Sequence, residues 1–134
     1  MKNNKLKELS ATWKDATYRV LDLKGIHFSA LQHLLKETYS VLLVFHKSES
    51  IPKEICKIFL EIKDFLYFAS LMEENELGID YYCYRRIDAI AKALEKGFFC
   101  GDYGCDFPKL TIVDDYNKAY VFDFEENSLK DIII

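Results

Sequence analysis

The stretch from Ile51 to Glu74 constrains the fold more than any other part of the chain. It reads IPKEICKIFLEIKDFLYFASLMEE, and its apolar residues recur at the i, i+3, i+4 and i+7 spacing of a helix that buries one face. Pro52 fixes its own φ near the helical value and disfavours a helical residue before it, so we expect Ile51 to be the N-cap and Pro52 the first helical position. The spacing therefore predicts one long central helix.

Between Phe65 and Met72 this predicted helix is apolar nearly all the way round. A helix without a polar face is normally enclosed on several sides, so Tyr67, Phe68 and Leu71 should be covered by another part of the chain or by another protein. The run is too short to cross a membrane, since a bilayer needs about 20 apolar residues. Exposed apolar patches usually mark interfaces, which makes these three side chains candidate partner-binding residues.

Length and composition predict a folded single domain over residues 1–134. Half of the residues are hydrophobic and 15% are aromatic, which argues against a disordered chain. The N-terminal sequence MKNNKLKELS lacks the apolar segment of a secretory signal, so we expect a cytoplasmic protein. Frequent Lys, Asn, Ile and Tyr with little Ala or Pro suggests an AT-rich bacterial or phage genome.

Two helices and a strand are predicted before the central helix. Apolar residues in 4–23 alternate at spacings of three and four, which is typical of an amphipathic helix ending at Gly25. Residues 17–23 also alternate as a strand would, and both readings stay open. Ser29 is the expected N-cap of a second, shorter helix. Tyr39–Phe45 reads YSVLLVF, which predicts a strand buried on both faces in the middle of a sheet.

The C-terminal half predicts a further helix and a β-hairpin. Asp80 is the expected N-cap of this helix, and Gly97 is expected to end it. Residues 110–115 and 119–124 alternate around a short turn, as the strands of a hairpin do. Its aromatic side chains are expected to share one face: Tyr120, Phe122 and Phe124. The tail after Asn127 fits either a strand or a helical turn.

The order of these elements does not alternate strictly between strands and helices, which argues against a doubly wound sheet. We therefore predict an α+β fold. It should consist of about four helices packed on a small sheet of three to four strands, including the C-terminal β-hairpin.

The glycine-rich loop from Cys100 to Cys105 is the leading candidate for metal or thiol chemistry. Two thiolates separated by four residues can reach one zinc ion, and Cys83 or a histidine such as His46 would have to complete the site. The paired spacings of zinc modules do not occur in the sequence. Cys83 lies on the predicted apolar face of its helix, where a thiol is inert. No cofactor is predicted, and a small metal- or thiol-dependent enzyme is kept as the alternative.

Charge is spread unevenly along the chain. Residues 1–60 hold ten Lys and Arg against six Asp and Glu, whereas residues 61–134 hold eight against sixteen. The predicted hairpin and the segments around it are acidic enough to face a basic protein partner. The candidate partner-binding residues of this face are Asp114, Asp115, Asp123, Glu125 and Glu126.

A nucleic-acid-binding module is a second alternative, because residues 81–86 interleave tyrosines with arginines as single-strand sites do. The acidic balance of the same half argues against it, since phosphate neutralisation dominates such binding. The sequence favours a small non-catalytic protein that acts through protein–protein contact. That contact would be self-association or the docking of a basic partner on the acidic face.

Overall fold

The computed structural model describes residues 2–22, 25–71 and 81–133, with the side chains of residues 7–20, 27–71 and 84–133. In chain order its elements are α1 (Lys2–Tyr18), β1 (Leu21–Asp22), β2 (Gly25–Ile26), α2 (Phe28–Phe45), α3 (Lys53–Ser70), α4 (Tyr81–Cys100), β3 (Lys109–Val113), β4 (Ala119–Asp123) and α5 (Leu129–Ile133). The α+β class is confirmed. The described residues form five helices rather than about four, and the sheet that contains the C-terminal hairpin has two strands rather than three to four.

The predicted central strand Tyr39–Phe45 is wrong, because these residues form the second half of α2. The helical period that begins at Leu31 continues without a break, so that Val41 and Leu42 point into the core. The next two residues, Leu43 and Val44, are exposed on the opposite side of the helix. A short apolar run fits a buried strand and a buried helical segment equally well, and here the preceding helix decides between them. The helix begins at Phe28, so Ser29 is not its N-cap.

The first helix ends at Tyr18, well before the predicted stop at Gly25. Leu21–Asp22 and Gly25–Ile26 then pair as a very short antiparallel ladder. The sequence predicts either a helix or a strand for residues 17–23, and the described part contains both. Thr17 and Tyr18 are helical, whereas Leu21–Asp22 is a strand.

The central helix α3 has the predicted apolar face, with Ile55, Phe59, Ile62 and Leu66 buried. Its N-cap is Pro52 with an extended ψ of 141°, so the helix begins one residue later than predicted. The predicted turn at Gly78 and the cap at Asp80 fall outside the described residues. None of the described helices is both long enough and apolar enough to span a membrane.

The fourth helix continues through Gly97 to Cys100, so the predicted stop at Gly97 is wrong. Gly97 is needed for close packing, because a Cβ built there would lie 2.5 Å from Cε1 of Tyr103. The helix ends instead at Gly101, which has a φ of +69° and donates its N–H to the carbonyl of Gly97. A glycine in the left-handed region is the common way to close a helix.

The C-terminal hairpin is confirmed, with β3 and β4 antiparallel and Thr111 opposite Val121. Phe122 and Phe124 are buried on its inner face, and Tyr120 on the same face is half-buried. The open choice for the tail resolves as a helix, because α5 follows the hairpin and buries Leu129 and Ile132.

The core joins all five helices to the hairpin. At its centre the ring of Phe59 stacks on Phe98 with 4.6 Å between centroids, and Trp13 contacts both rings. The indole of Trp13 donates a hydrogen bond of 2.9 Å to the hydroxyl of Thr38, which fixes α1 on α2. The central helix therefore turns one face to this core and leaves the other to solvent.

Candidate functional site

The outer face of α3 carries an apolar strip, which we call the α3 strip and define as Leu60, Tyr67, Phe68 and Leu71. The spacing i, i+7, i+8 and i+11 places these residues on one side of the helix, opposite the buried face. Their exposed fractions are 49%, 48%, 64% and 42% in the same order. Tyr67, Phe68 and Leu71, which the sequence predicts to need a cover, are thus turned outward.

The outer face of α3 also carries three charged side chains. Lys53 and Lys57 occupy it near the start of α3, and Asp64 lies between Leu60 and Tyr67. Among the residues that the structure describes, these three charges form no ion pair. The start of the face is therefore basic, and its end is apolar. The end also coincides with the C-terminus of α3, where helix carbonyls carry partial negative charge.

The acidic residues of the hairpin turn are engaged within the molecule. Asp114 accepts hydrogen bonds from the backbone N–H groups of Tyr116 and Lys118 at 2.9 and 3.0 Å. Burial alone would raise the pKa of the Asp114 carboxyl, but these hydrogen bonds outweigh it, and its pKa is lowered. Asp115 forms an ion pair of 3.3 Å with Arg85.

The acidic residues at the end of β4 differ in how far they are engaged within the molecule. The carboxylate of Asp123 accepts hydrogen bonds from the backbone N–H groups of Glu125 and Glu126. Glu125 in turn accepts a hydrogen bond of 3.3 Å from the hydroxyl of Tyr39. Burial and the charge of Glu125 raise the pKa of Tyr39. The carboxylate of Asp123 therefore shapes the turn, whereas Glu125 and Glu126 are exposed.

The two arginines of residues 81–86, the segment that interleaves tyrosines with arginines, hold α4 against its neighbours. Arg85 contacts Asp88 at 3.2 Å and donates to the hydroxyl of Ser70 on α3. Arg86 donates a hydrogen bond of 2.9 Å to the carbonyl of Ile132 and lies 4.9 Å from the ring centroid of Tyr120. Both guanidinium groups therefore contribute to tertiary structure.

The candidates for metal or thiol chemistry do not form a cluster within the described residues. Cys100 and Cys105 are exposed free thiols, and the side chain of Cys83 lies outside the described residues. His46 ends α2 and stacks on Phe107 with 4.1 Å between ring centroids. Partial burial and the charge of Lys47 lower the pKa of His46. Across the described ranges no three or more His, Cys, Asp and Glu residues are placed to hold one metal ion.

A cavity of about 550 Å³ lies between α1 and α3, and the sequence alone does not predict it. Its walls carry lysines from both helices, at positions 7, 14, 53 and 57. The surplus of positive charge in residues 1–60 is a weak signal for it. That signal is insufficient, because nothing in the sequence states that α1 and α3 lie side by side.

Comparison with known proteins gives no indication of the function of this chain. No protein-family model matches the chain. No curated protein matches it significantly, and no solved structure does.

Proposed function

We propose that the protein acts through protein–protein contact, and that the α3 strip binds a second copy of the chain. The observation that carries the proposal is the outward position of Leu60, Tyr67, Phe68 and Leu71 on one helix face. Aromatic side chains such as those of Tyr67 and Phe68 are enriched at interfaces, because they bury a large area with few rotatable bonds.

The charges of the face favour a second copy in the antiparallel orientation. If two α3 helices met in parallel, Lys53 and Lys57 of one copy would lie beside the same lysines of the other. In an antiparallel pair, each Lys57 instead approaches the C-terminal end of the partner's α3, where the helix dipole is negative. Such a pair has two-fold symmetry, so one strip serves both copies.

The same orientation pairs the apolar side chains. When Leu60 lies opposite Leu71 of the second copy, Tyr67 lies opposite Asp64, to which its hydroxyl can donate a hydrogen bond. This arrangement places Phe68 near the centre of the contact, where truncation of an aromatic residue usually weakens binding most. An acidic face for a basic partner receives less support, because Asp114, Asp115 and Asp123 are engaged in internal contacts.

Sedimentation equilibrium over a wide concentration series tests the proposal. We expect a reversible monomer–dimer equilibrium for the natural chain. Phe68→Glu should weaken it by about thirtyfold or more, since loss of a central aromatic contact costs about 2 kcal/mol or more. The matched control is Val121→Glu, which places the same charge on the outer face of the hairpin at a residue that is 57% exposed. A monomer at every concentration, or equal weakening by both variants, would contradict the proposal.

Cysteine cross-linking tests the orientation separately, in a chain whose four natural cysteines are replaced by Ser. The double variant Leu60→Cys with Leu71→Cys should form an intermolecular disulfide, whereas neither single variant should. Cross-linking of the single variants would indicate a parallel pair instead. Elemental analysis and thiol titration of the folded protein test the rival prediction of a metal- or thiol-dependent enzyme.

A further inference from the structure

The cavity between α1 and α3 has one wall from each helix. Lys7, Ser10, Ala11 and Lys14 line it from α1, and Lys53, Glu54, Lys57, Ile58 and Glu61 line it from α3. Beyond the cavity the ring of Tyr18 meets the ring of Phe65, with 6.2 Å between centroids. Since residue numbers rise together along the contact, the two helices run in the same direction.

The four lysines of the cavity are exposed, and none of them forms an ion pair with another described residue. Lys7 and Lys14 are two turns apart on α1, which separates their attachment points by about 10 Å at the rise of an α-helix. Lys53 and Lys57 are one turn apart on α3, or about 6 Å. The cations therefore surround the cavity from two sides and over a length greater than that of one phosphate group.

Other lining residues restrict the ligand further. Glu54 and Glu61 add negative charge to the same wall. Carboxylates repel a continuous phosphate backbone, but they accept hydrogen bonds from the hydroxyl groups of a small molecule. Ala11 and Ile58 contribute an apolar part of the surface. A volume of about 550 Å³ lies within the range of small-molecule sites.

We infer that this cavity binds a small polyhydroxylated ligand carrying two phosphate groups. The lysines of α1 and α3 would hold the phosphates as point charges, and Glu54 and Glu61 would accept hydrogen bonds from the hydroxyl groups between them. Nucleic acid fits these residues less well, because Glu54 and Glu61 line the same cavity and would repel a continuous phosphate backbone. The inference can be tested separately from self-association, since Lys7 and Lys14 are on α1 and not on the α3 strip.

Isothermal titration calorimetry tests the inference with fructose 1,6-bisphosphate, inorganic pyrophosphate and fructose as probes. We expect the bisphosphate to bind, pyrophosphate to bind more weakly, and fructose not to bind. The double variant Lys7→Gln with Lys14→Gln should bind the bisphosphate at least about tenfold more weakly, because hydrogen bonds to charged groups are lost. Glu61→Gln should weaken binding of the bisphosphate relative to pyrophosphate, because pyrophosphate has no hydroxyl group to donate to the carboxylate and gains from the loss of its negative charge.

The matched control is Lys36→Gln with Lys130→Gln, which removes the same charge at exposed lysines of α2 and α5 that do not line the cavity. Circular dichroism and thermal unfolding establish that both double variants remain folded. Three results would overturn the inference: no heat of binding with either phosphate probe, equal loss in the control variant, or tighter binding of a single-stranded oligonucleotide that depends on Lys7 and Lys14. None of these three results would follow from a failure of the chain to form dimers, so the two proposals fail separately.

Discussion

Two phenylalanines of the same helix should respond very differently to truncation. Phe59 is 1% exposed and stacks on Phe98 in the core, whereas Phe68 is 64% exposed on the α3 strip. Phe59→Ala should lower the free energy of unfolding by about 4 kcal/mol, through lost burial and the cavity left behind. This is a large fraction of the stability of a small domain, which is typically about 5–15 kcal/mol.

The expected cost at Phe68 follows from its exposure. A buried phenylalanine covers about 200 Å². With 64% exposed, Phe68 covers about 70 Å² of this, which amounts to about 2 kcal/mol at most at about 25 cal/mol per Å². Alanine keeps part of that contact, so Phe68→Ala should cost about 1 kcal/mol in dilute protein.

Urea unfolding monitored by circular dichroism measures both changes, provided that the slope with denaturant is the same for each variant. Phe59→Leu is a milder companion that keeps the chain folded if the alanine variant does not fold. The proposed dimer would stabilise the natural chain at high protein concentration, where Phe68→Ala should therefore lose additional stability. Equal losses at the two positions in dilute solution would refute the assignment of the helix faces.

Three further changes test the packing and the titrating groups. Gly97→Ala should lower stability by about 1–3 kcal/mol, since the ring of Tyr103 must move to admit the methyl group; thermal unfolding measures this, and no loss would contradict the close contact. Burial raises the pKa of Tyr84 to about 12, and its hydroxyl has no hydrogen-bond partner among the residues that the structure describes. Tyr84→Phe should therefore maintain or raise stability at neutral pH, and it should reduce the stability loss expected of the natural chain as pH rises from about 10 to about 12, to which the raised pKa of Tyr39 also contributes; marked destabilisation in urea unfolding near pH 7 would contradict this. The lowered pKa of Asp114 means that its contribution is complete above an ordinary aspartate pKa of 3.8 and is lost as pH falls through the lower folded value. Asp114→Asn should thus match the natural chain in acid and be less stable near neutral pH, and a constant difference across a pH series of unfolding curves would refute this.

The predictable parts of the fold are those in which a local pattern and the tertiary contacts agree. The apolar spacing of α3 predicts which side of the helix is buried. The alternation in residues 110–124 predicts both the hairpin and its inner face. The run Val41–Phe45 misleads because its β-branched residues suit a strand, while its register with Leu31 and Leu35 suits a helix. Gly97 leads to a wrong helix end, because a glycine is typical of helix ends. Here the glycine is required by the position of Tyr103, which the sequence does not show.

The candidate sites were predictable to a smaller extent. An apolar segment that encircles a helix indicates that Tyr67, Phe68 and Leu71 need a cover, although it does not reveal what supplies one. An acidic composition says nothing of how each carboxylate is used, and Asp114 and Asp123 prove to hold turns through backbone hydrogen bonds. The lysine-lined cavity depends on two helices being neighbours, which is a property of the tertiary fold.

The parallel contact of α1 and α3 has a consequence for how the two proposed sites relate. The cavity and the α3 strip occupy adjacent sides of one continuous helix, and Lys57 borders both. In the proposed dimer, a ligand that neutralises Lys57 would change the charge offered to the second copy. Thermodynamic reciprocity then requires that dimerisation alter the affinity for that ligand by the same factor.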